Sequence, residues 1–448
     1  MSGLTYLVGV VIFAIGIMLS IALHELGHLL PAKRFGVRCT QYMIGFGPTL
    51  FSRRRGDTEY GVKAIPLGGY VRMIGMFAPR SAVRIGRTDP EGRGTGRWSA
   101  LIEQARAQSL REAGDTPRDQ YFYTKRPWQR FVIMLSGPAM NLVVALVLFV
   151  IILCGFGLPR PSTRIDVVSQ CILPVNAPKD RTCTATDPLA PAAGAGLRPG
   201  DRITAVNGAP VDDWDRVRDL IRANGNRRIT LQVRRGGQLL TVPVTPATTP
   251  VAVMKADGVT PQRNADGSIK TIQAGFLGVS PATERRRESL LVVPGQMGQV
   301  LWKTATVTVD LPRRIASTTS AAFGHGHRDP NGPVSIVGVG RFAGEIASAQ
   351  DESVTDRFAD LLTILASLNV MLFVLNMVPL LPLDGGHMAG VLWESLRRRV
   401  ARLRSRVDPG PVDTVRALPL TYGVASLLIG MSALLIYADI VTPIHLGG

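Results

Sequence analysis

The sequence predicts an α-helical membrane protein with four spans, a membrane-associated β-hairpin-like loop and an inserted β-rich domain. Crossing the hydrocarbon core of a bilayer takes about 20 apolar residues. Four runs reach roughly that length, at Leu4–Leu23, Phe131–Leu153, Leu361–Pro382 and Leu418–Ala438. Between the second and third runs, short β-prone segments alternate with glycine-bearing turns, which is the pattern of strands. The 448 residues suffice for a membrane bundle and an accessory domain.

The first apolar run is predicted to be a retained span and not a secretory signal. A signal has basic residues before its apolar run and a cleavage site of small residues after it. Here the first basic residue is Lys33, after the run, and the run leads directly into a motif of polar residues. We therefore expect the run to stay in the membrane.

The net charge of +18 is unevenly distributed. Residues 33–130 hold 19 Lys and Arg against 8 Asp and Glu, and residues 388–416 hold 7 against 3. Because short cytoplasmic loops are enriched in Lys and Arg, both segments are predicted to face the cytoplasm. Both termini and residues 154–357 would then lie outside. A basic chain can also bind nucleic acid, but no nucleic-acid-binding module accompanies this charge, so attraction to the lipid bilayer is preferred.

Domain boundaries follow from these runs. They are 1–32 (first span), 33–79 (β-rich loop), 80–130 (flexible basic cytoplasmic loop, with a short helix at Trp98–Leu110), 131–153 (second span), 164–281 (β-rich outer domain), 282–357 (outer linker), 358–387 (third span), 388–416 (basic cytoplasmic loop) and 417–439 (fourth span). In the outer part, the spacing of Cys171 and Cys183 permits a disulfide in an oxidising compartment without requiring one.

The first span ends in a metal-binding motif, His24-Glu25-Leu26-Gly27-His28. On a helix the two histidines face the same side, so both imidazoles can bind one Zn²⁺, and Glu25 can take a proton from water at the metal. Catalytic zinc usually has a third protein ligand. Asp384 is the predicted third ligand, because a carboxylate at membrane depth is costly and indicates function. The alternatives are that Asp384 caps a helix or that His387 is the ligand.

The local sequence explains how Asp384 could reach the metal. Pro379 and Pro382 interrupt the third span, and Gly385-Gly386 permits close backbone approach. Asp384 is therefore predicted to lie on a locally unwound segment. A second histidine pair, in His325-Gly326-His327, offers too few ligands for a metal site of its own.

Residues 33–79 contain the predicted hairpin. Two β-prone runs, 42–48 and 60–73, flank a polar turn at 52–57. The segment is too short to span a membrane and too apolar for a free loop, so we expect it to dip into the membrane beside the metal motif. Irregular backbone is tolerated there against protein or a water-filled cavity. A small sheet at the membrane surface is the alternative.

Together, these motifs resemble those of the site-2 proteases, a family of zinc intramembrane metalloproteases. The resemblance is closest to the bacterial subgroup with a PDZ domain between the second and third core spans. The matching elements are His24–His28, Gly137-Pro138-Ala139-Met140-Asn141, Gly332-Pro333-Val334-Ser335-Ile336 and Asn376–Gly385. Residues 195–208 resemble the bacterial PDZ signature, and 276–279 is a candidate loop for cradling a carboxylate. Some members have two PDZ domains, whereas one is found here.

The resemblance implies a four-span metalloprotease core in which His24, His28 and Asp384 bind Zn²⁺ and Glu25 is the general base. It also implies residues that hold an unwound substrate in extended form, namely Asn376 and the 61–74 strand with Gly68, Gly69, Tyr70 and Val71. Implied substrates are single-span membrane proteins, such as anti-sigma factors, and remnant signal peptides. The setting would be regulated intramembrane proteolysis at the bacterial plasma membrane. The active site would lie toward the cytoplasm, and the outer PDZ-like domain would bind a peptide or C-terminus.

Two other functions are compatible with the sequence. One is a catalytically silent scaffold whose PDZ-like domain binds extracytoplasmic termini, and this function predicts a protein without zinc. The other is a membrane-tethered protease that cuts soluble cytoplasmic substrates with a site at the inner membrane surface. Metal content separates the first alternative from an intramembrane protease, and substrate preference separates the second.

Overall fold

The computed structural model describes residues 2–77, 97–174, 181–253, 262–264, 268–324, 328–329, 332–350, 352–408, 410–412 and 414–444. The chain forms two compact units. We call them the membrane unit, Met1–Phe156 with Glu288–Gly448, and the inserted unit, Gly157–Arg287. Each is described by itself.

Helices and strands alternate irregularly along the chain. The helices are α1 (Ser2–Arg34), α2 (Arg97–Ala113), α3 (Pro127–Val150, continued by a π-helical turn at Ile151–Phe156), α4 (Pro191–Gly194), α5 (Trp214–Ala223), α6 (Val293–Val309), α7 (Leu311–Ala322), α8 (Ile336–Ser348), α9 (Val354–Asn376), α10 (Asp384–Leu403) and α11 (Leu418–Val441). The strands are β1 (Cys39–Arg55), β2 (Thr58–Met73), β3 (Leu158–Val168), β4 (Arg202–Val206), β5 (Ala209–Pro210), β6 (Ile229–Arg235), β7 (Gln238–Val244), β8 (Ala247–Ala252), β9 (Thr271–Phe276) and β10 (Val279–Arg286).

Four helices of the membrane unit are long and apolar enough to cross a membrane, namely α1, α3, α9 and α11. Each of the four predicted spans therefore corresponds to a helix of suitable length and composition. The third span differs in extent, because α9 ends at Asn376 and a new helix, α10, begins at Asp384. Pro379 and Pro382 lie in the intervening segment, where proline lacks the N–H that a continuing helix needs. Asp384 thus starts a helix instead of lying on an unwound segment, and α10 extends well into the predicted basic loop.

The predicted β-hairpin is present in the membrane unit. β1 and β2 are antiparallel and turn at Gly56-Asp57. Each strand bends back on itself. As a result, residues 41–44 of β1 lie between two segments of β2 and pair with 59–62 on one side and with 69–72 on the other. No other described strand pairs with residues 69–72, so this segment is an edge. An edge strand offers backbone N–H and C=O groups to an added strand.

A buried apolar cluster holds the hairpin against the helices. It joins the end of α1, the base of the hairpin, α3 and α10, through Leu29, Ala32, Val37, Cys39, Met73, Phe122, Ile133, Met134 and Met388. The cluster therefore fixes the four elements that surround the histidine motif.

The stretch from 282 to 357 is not the predicted linker, because it forms the end of β10 and the helices α6, α7 and α8. Local hydrogen bonds define their ends; for example, the Ser335 side chain accepts from the backbone N–H groups of Val337 and Gly338. The helix predicted at Trp98–Leu110 corresponds to α2. His325-Gly326-His327 and most of the proposed flexible segment before α2 lie outside the described residues.

The inserted unit is built on an antiparallel sheet in the order β10-β3-β4-β6-β7, with β5 paired to β4 and β8–β9 as a separate pair. Its core includes Ile165, Val217 and Leu231, all fully buried. Asp213 caps α5 by accepting from the Arg216 backbone N–H. Cys171 and Cys183 form a disulfide, which the sequence left open.

Candidate active site

Side chains from two helices that are far apart in the sequence, α1 and α10, meet at the histidine motif. Nε2 of His24 lies 3.3 Å from Nε2 of His28. Oδ2 of Asp384, in the first turn of α10, lies 3.3 Å from Nε2 of His24 and 3.4 Å from Nε2 of His28. Among the described residues, these three side chains form the group able to hold a metal ion. The structure therefore brings together the three predicted ligands.

The triangle of ligand atoms has the dimensions of a zinc site. Zinc bonded to nitrogen and oxygen at about 2.0–2.1 Å in tetrahedral geometry separates its ligand atoms by about 3.3 Å. All three separations agree with that value. Two imidazoles and a carboxylate are also a donor set that zinc accepts. The site fits the metal.

His28 is oriented by a carbonyl and by a glycine on α3. Its Nδ1 lies 2.7 Å from the Ile133 carbonyl oxygen, so Nδ1–H donates and Nε2 keeps a lone pair for a metal. Gly137 lies against the imidazole, and a methyl group at position 137 would overlap the His28 ring. The close approach of α1 and α3 also needs Gly27, whose Cβ would overlap the Ser136 carbonyl.

His24 is oriented by Asn141. The amide nitrogen of Asn141 lies 3.1 Å from Nδ1 of His24, and Asn141 Oδ1 is buried without a hydrogen-bond partner among the described residues. The nitrogen and oxygen of a side-chain amide exchange places by half a turn. After that turn, Oδ1 accepts from Nδ1–H of His24, which satisfies the orphaned oxygen and leaves Nε2 free to bind metal.

Asp384 does not cap α10, the alternative that the sequence left open. The N-terminal capping position is Leu383, and no side chain caps the helix. Gly385 and Gly386 lie so close to the backbone of residues 377–381 that a Cβ at either would overlap it. The two glycines therefore let α10 start directly beneath the end of α9. His387 lines the adjoining cavity and lies outside the three-residue group.

A cavity of about 370 Å³ opens beside the three side chains. It is lined by every residue predicted to bind substrate, Gly68, Gly69, Tyr70, Val71 and Asn376, and by Glu25. Glu25 lies next to the edge segment of β2, because a Cβ on Gly69 would be 2.9 Å from the Cγ of Glu25. The Glu25 carboxylate, the three possible metal ligands and the edge segment of β2 thus line one cavity.

The roles of Gly137 and Asn141 were not predicted from the sequence. Both residues were noted as part of a family motif, but the motif was not connected with the two histidines. Their spacing held a usable signal. Gly137 and Asn141 are four residues apart, like His28 and His24, so two antiparallel helices place each residue of one pair beside one of the other. The partners could not be chosen before α1 and α3 were known to pack together.

The chain is similar in sequence to known metalloproteases. The family model for peptidase family M50 matches residues 12–407. The chain is 32% identical to the zinc metalloprotease Rip1 of Mycobacterium tuberculosis over 98% of this chain and 99% of that protein. It is 31% identical to Rip1 of Mycolicibacterium smegmatis over 98% of each. The metalloprotease MmpA of Caulobacter vibrioides is 27% identical over 85% of each.

The chain belongs to peptidase family M50. The M50 family is that of the site-2 proteases, so the resemblance noted from the motifs is confirmed. The protein is a zinc metalloprotease, and its four apolar helices make it a multi-pass membrane protein. M50 enzymes act on membrane-embedded substrates in the bilayer. A catalytically silent scaffold without zinc is thereby set aside.

Proposed function

We propose that this protein cleaves single-span membrane proteins within or near the membrane, with His24, His28 and Asp384 as zinc ligands and Glu25 as the general base. The observation that carries the proposal is the triangle of ligand atoms, 3.3–3.4 Å on each side, in the same cavity as Glu25 and a strand edge. Bound zinc would activate water and polarise the scissile carbonyl.

Glu25 would move the protons of the reaction. Its carboxylate faces the cavity from the same helical turn as the two histidines. It would take a proton from the attacking water on a carboxylate oxygen and deliver it to the leaving amine nitrogen. The close approach of the Glu25 Cγ to Gly69 places the carboxylate next to the strand on which a substrate would lie.

The edge segment 69–72 and Asn376 would hold the substrate. A transmembrane helix hides its peptide bonds in internal hydrogen bonds, so it must unwind before it can be cut. Unwound backbone groups need new partners at that depth, and an edge strand supplies them by β-strand addition. Asn376, the last residue of α9, adds a side-chain amide on the cavity wall.

The setting proposed from the charge pattern is the bacterial plasma membrane, with both termini and the inserted unit outside and the active site toward the cytoplasm. A disulfide in the inserted unit supports an oxidising side for that unit. By analogy with the family, we propose anti-sigma factors and remnant signal peptides as substrates, and a PDZ-like role for the inserted unit in binding a peptide or C-terminus. A reporter fused within the inserted unit and found in the cytoplasm would contradict this orientation.

The proposed chemistry is tested with Glu25→Gln in the full-length protein. Loss of a general base typically slows a reaction by about 10²–10⁴-fold. We expect cleavage of a model transmembrane substrate to fall by that factor while the zinc content stays near one per chain. Asp384→Asn is the companion variant, and it should lose zinc. Cleavage retained by Glu25→Gln, or full zinc in Asp384→Asn, would contradict the assigned roles.

The remaining alternative is a protease that cuts soluble cytoplasmic substrates. Its discriminating measurement compares cleavage of a transmembrane substrate in detergent with cleavage of a soluble peptide of the same cut-site sequence. The edge strand beside Glu25 favours the transmembrane substrate, whose unwound backbone lacks water as a partner. Equal or faster cleavage of the soluble peptide would favour the alternative.

A further inference from the structure

A second group of charged side chains is buried on the two helices, α3 and α10, that also contribute to the proposed zinc site. Glu394 of α10 accepts a hydrogen bond from the guanidinium of Arg130 at the start of α3, and it forms an ion pair with Arg398, whose Nη2 lies 3.1 Å from the same carboxylate oxygen. Its other oxygen accepts from the backbone N–H of Val412 at 3.1 Å. We call Arg130, Glu394, Arg398 and Val412 the Glu394 cluster.

Burial makes this cluster energetically sensitive. The side chain of Glu394 is 1% exposed and that of Arg130 is 6% exposed. A carboxylate this deeply buried is tolerated when its charge is paired and both oxygens are hydrogen-bonded, as they are here. Removing Glu394 would leave the buried Arg130 guanidinium uncompensated, so α3 and α10 are strongly held in the arrangement that keeps the pair together.

The two helices joined by the pair each carry part of the metal site. α3 carries the Ile133 carbonyl and Gly137, which orient His28, and Asn141, which orients His24. α10 carries Asp384, ten residues and about 15 Å of helix before Glu394. A small cavity of about 20 Å³ lies between the cluster and His387, one turn after Asp384. The Arg130–Glu394 pair therefore links the helix that orients the histidines to the helix that delivers the carboxylate.

We propose that Arg130 and Glu394 are positioning residues that set the register of α10 against α3, so that Asp384 meets the two imidazoles at ligand distance. This inference rests on the proposed role of Asp384. The close contact of Gly385 and Gly386 with the backbone of residues 377–381 fixes where α10 begins, and the ion pair fixes the direction in which it continues. Neither residue touches the substrate cavity.

The chain supplies a matched control in another buried ion pair. Asp439 of α11 is also about 1% exposed, pairs with the Arg328 guanidinium, and accepts from the Ser335 backbone N–H at 2.6 Å. Its chemistry matches that of Glu394, but α11 carries none of the three proposed ligands. Asp439→Asn should therefore reproduce any general cost of losing a buried carboxylate without disturbing the metal site.

The experiment loads the full-length protein with Co²⁺ in place of zinc and records its visible absorption and its Co²⁺ dissociation constant. Changes to residues that orient ligands typically cost 10–100-fold in metal affinity. We expect Glu394→Gln and Arg130→Lys to weaken Co²⁺ binding by about 10-fold or more and to shift the absorption bands that report ligand geometry. With zinc, kcat should fall while KM stays unchanged, because the residues lining the substrate cavity are intact. Asp439→Asn should change neither the bands nor the affinity by more than about twofold.

A double variant distinguishes loss of the ion pair from loss of the folded structure. Replacing a buried ion pair by apolar residues of similar size is often neutral for stability, so Arg130→Met with Glu394→Met should remain folded yet show the same weakened Co²⁺ binding. Unchanged bands and affinity in the folded variants would overturn the proposal, as would an equal change in Asp439→Asn. Loss of folding in all three cluster variants would also overturn it, since the cluster would then act on stability alone. Asp384→Asn separates this outcome from failure of the proposed function: unchanged Co²⁺ bands in that variant would reject the ligand assignment itself.

Discussion

The membrane unit and the inserted unit are stabilised in different ways. In the inserted unit, residues such as Ile165, Val217 and Leu231 form a continuous core with no exposure. In the membrane unit, between 17% and 33% of the most apolar stretch of each spanning helix is buried. Lipid solvates the remainder, so apolar surface alone does not drive these helices together. Close contacts at glycine and a few polar pairs, together with the buried apolar cluster around Leu29 and Ile133, decide how they pack.

This difference has a consequence for function. Where a glycine contact positions a ligand, one added methyl group should disable the site, whereas truncation of the core of the inserted unit should cost stability and leave the metal site of the membrane unit intact. The following changes test that contrast, in order of decreasing expected effect.

The largest effect is expected for Gly137→Ala. The added methyl group would overlap the His28 imidazole, which must rotate or move with α1 away from α3. We expect about a 100-fold loss of activity and a matching loss of zinc affinity, the upper end of the range for changes to groups that orient ligands. Gly430→Ala on α11, where a Cβ meets nothing within 4 Å, is the control and should behave like the parent. Normal zinc content in Gly137→Ala would refute this account of helix packing.

Next in size is Leu231→Ala in the inserted unit. Truncating a buried leucine typically costs about 2–5 kcal/mol. Hydrogen exchange of β6 amides in the full-length protein should show that loss, while zinc content stays unchanged. Leu239→Ala, at a position 59% exposed on β7, should cost well under about 1 kcal/mol. Loss of zinc from Leu231→Ala would show that the two units are not stabilised independently.

The smallest effect concerns pH and Asp201. Its hydrogen bonds with the Arg235 guanidinium, both 2.7 Å long, hold the pKa of the Asp201 carboxyl below its ordinary value. The stabilisation is therefore complete above the unfolded pKa of about 4 and is lost as the pH falls through the lower, folded pKa. Asp201→Asn should reduce the free energy of unfolding of the inserted unit by about 1.5 kcal/mol at pH 7. The gap should begin to narrow below about pH 4 and should close as the pH falls through the folded pKa, and a gap that stays constant down to pH 3 would argue against this ion pair as its source.

Sequence reasoning was most successful where function depends on residues close together in the chain. His24 and His28 share a helical face whatever surrounds them, and the polar turn before β2 specified the hairpin. Asp384, far from the histidines in the sequence, was singled out because a carboxylate is costly in an apolar setting, and the structure places it beside them. The extent of the third span was misjudged, because apolar residues continue past Asn376 and hide the break that the prolines impose.

Features that depend on a packing partner could not be foreseen. Nothing in the local sequence around Arg130 or Glu394 indicates that they meet across 264 residues. The helices α6, α7 and α8 contain many Thr, Ser, Ala and Gly residues, whose weak apolar pattern resembles that of a loop. The packing partners of Arg130, Glu394 and the three helices are defined by the folded structure and not by the neighbouring sequence.

The dimensions of the active-site cavity bear on inhibition. Its volume of about 370 Å³ lies near the lower end of the 300–1,000 Å³ typical of small-molecule sites. A compact compound with an extended peptide-like backbone and a chelating end group matches it: the backbone would align with residues 69–72 and the chelator with the three ligand atoms. A rigid helical mimic of the substrate would match poorly, because its backbone N–H and C=O groups are already hydrogen-bonded within the helix and cannot pair with residues 69–72. Selective inhibitors should therefore be sought among strand mimics.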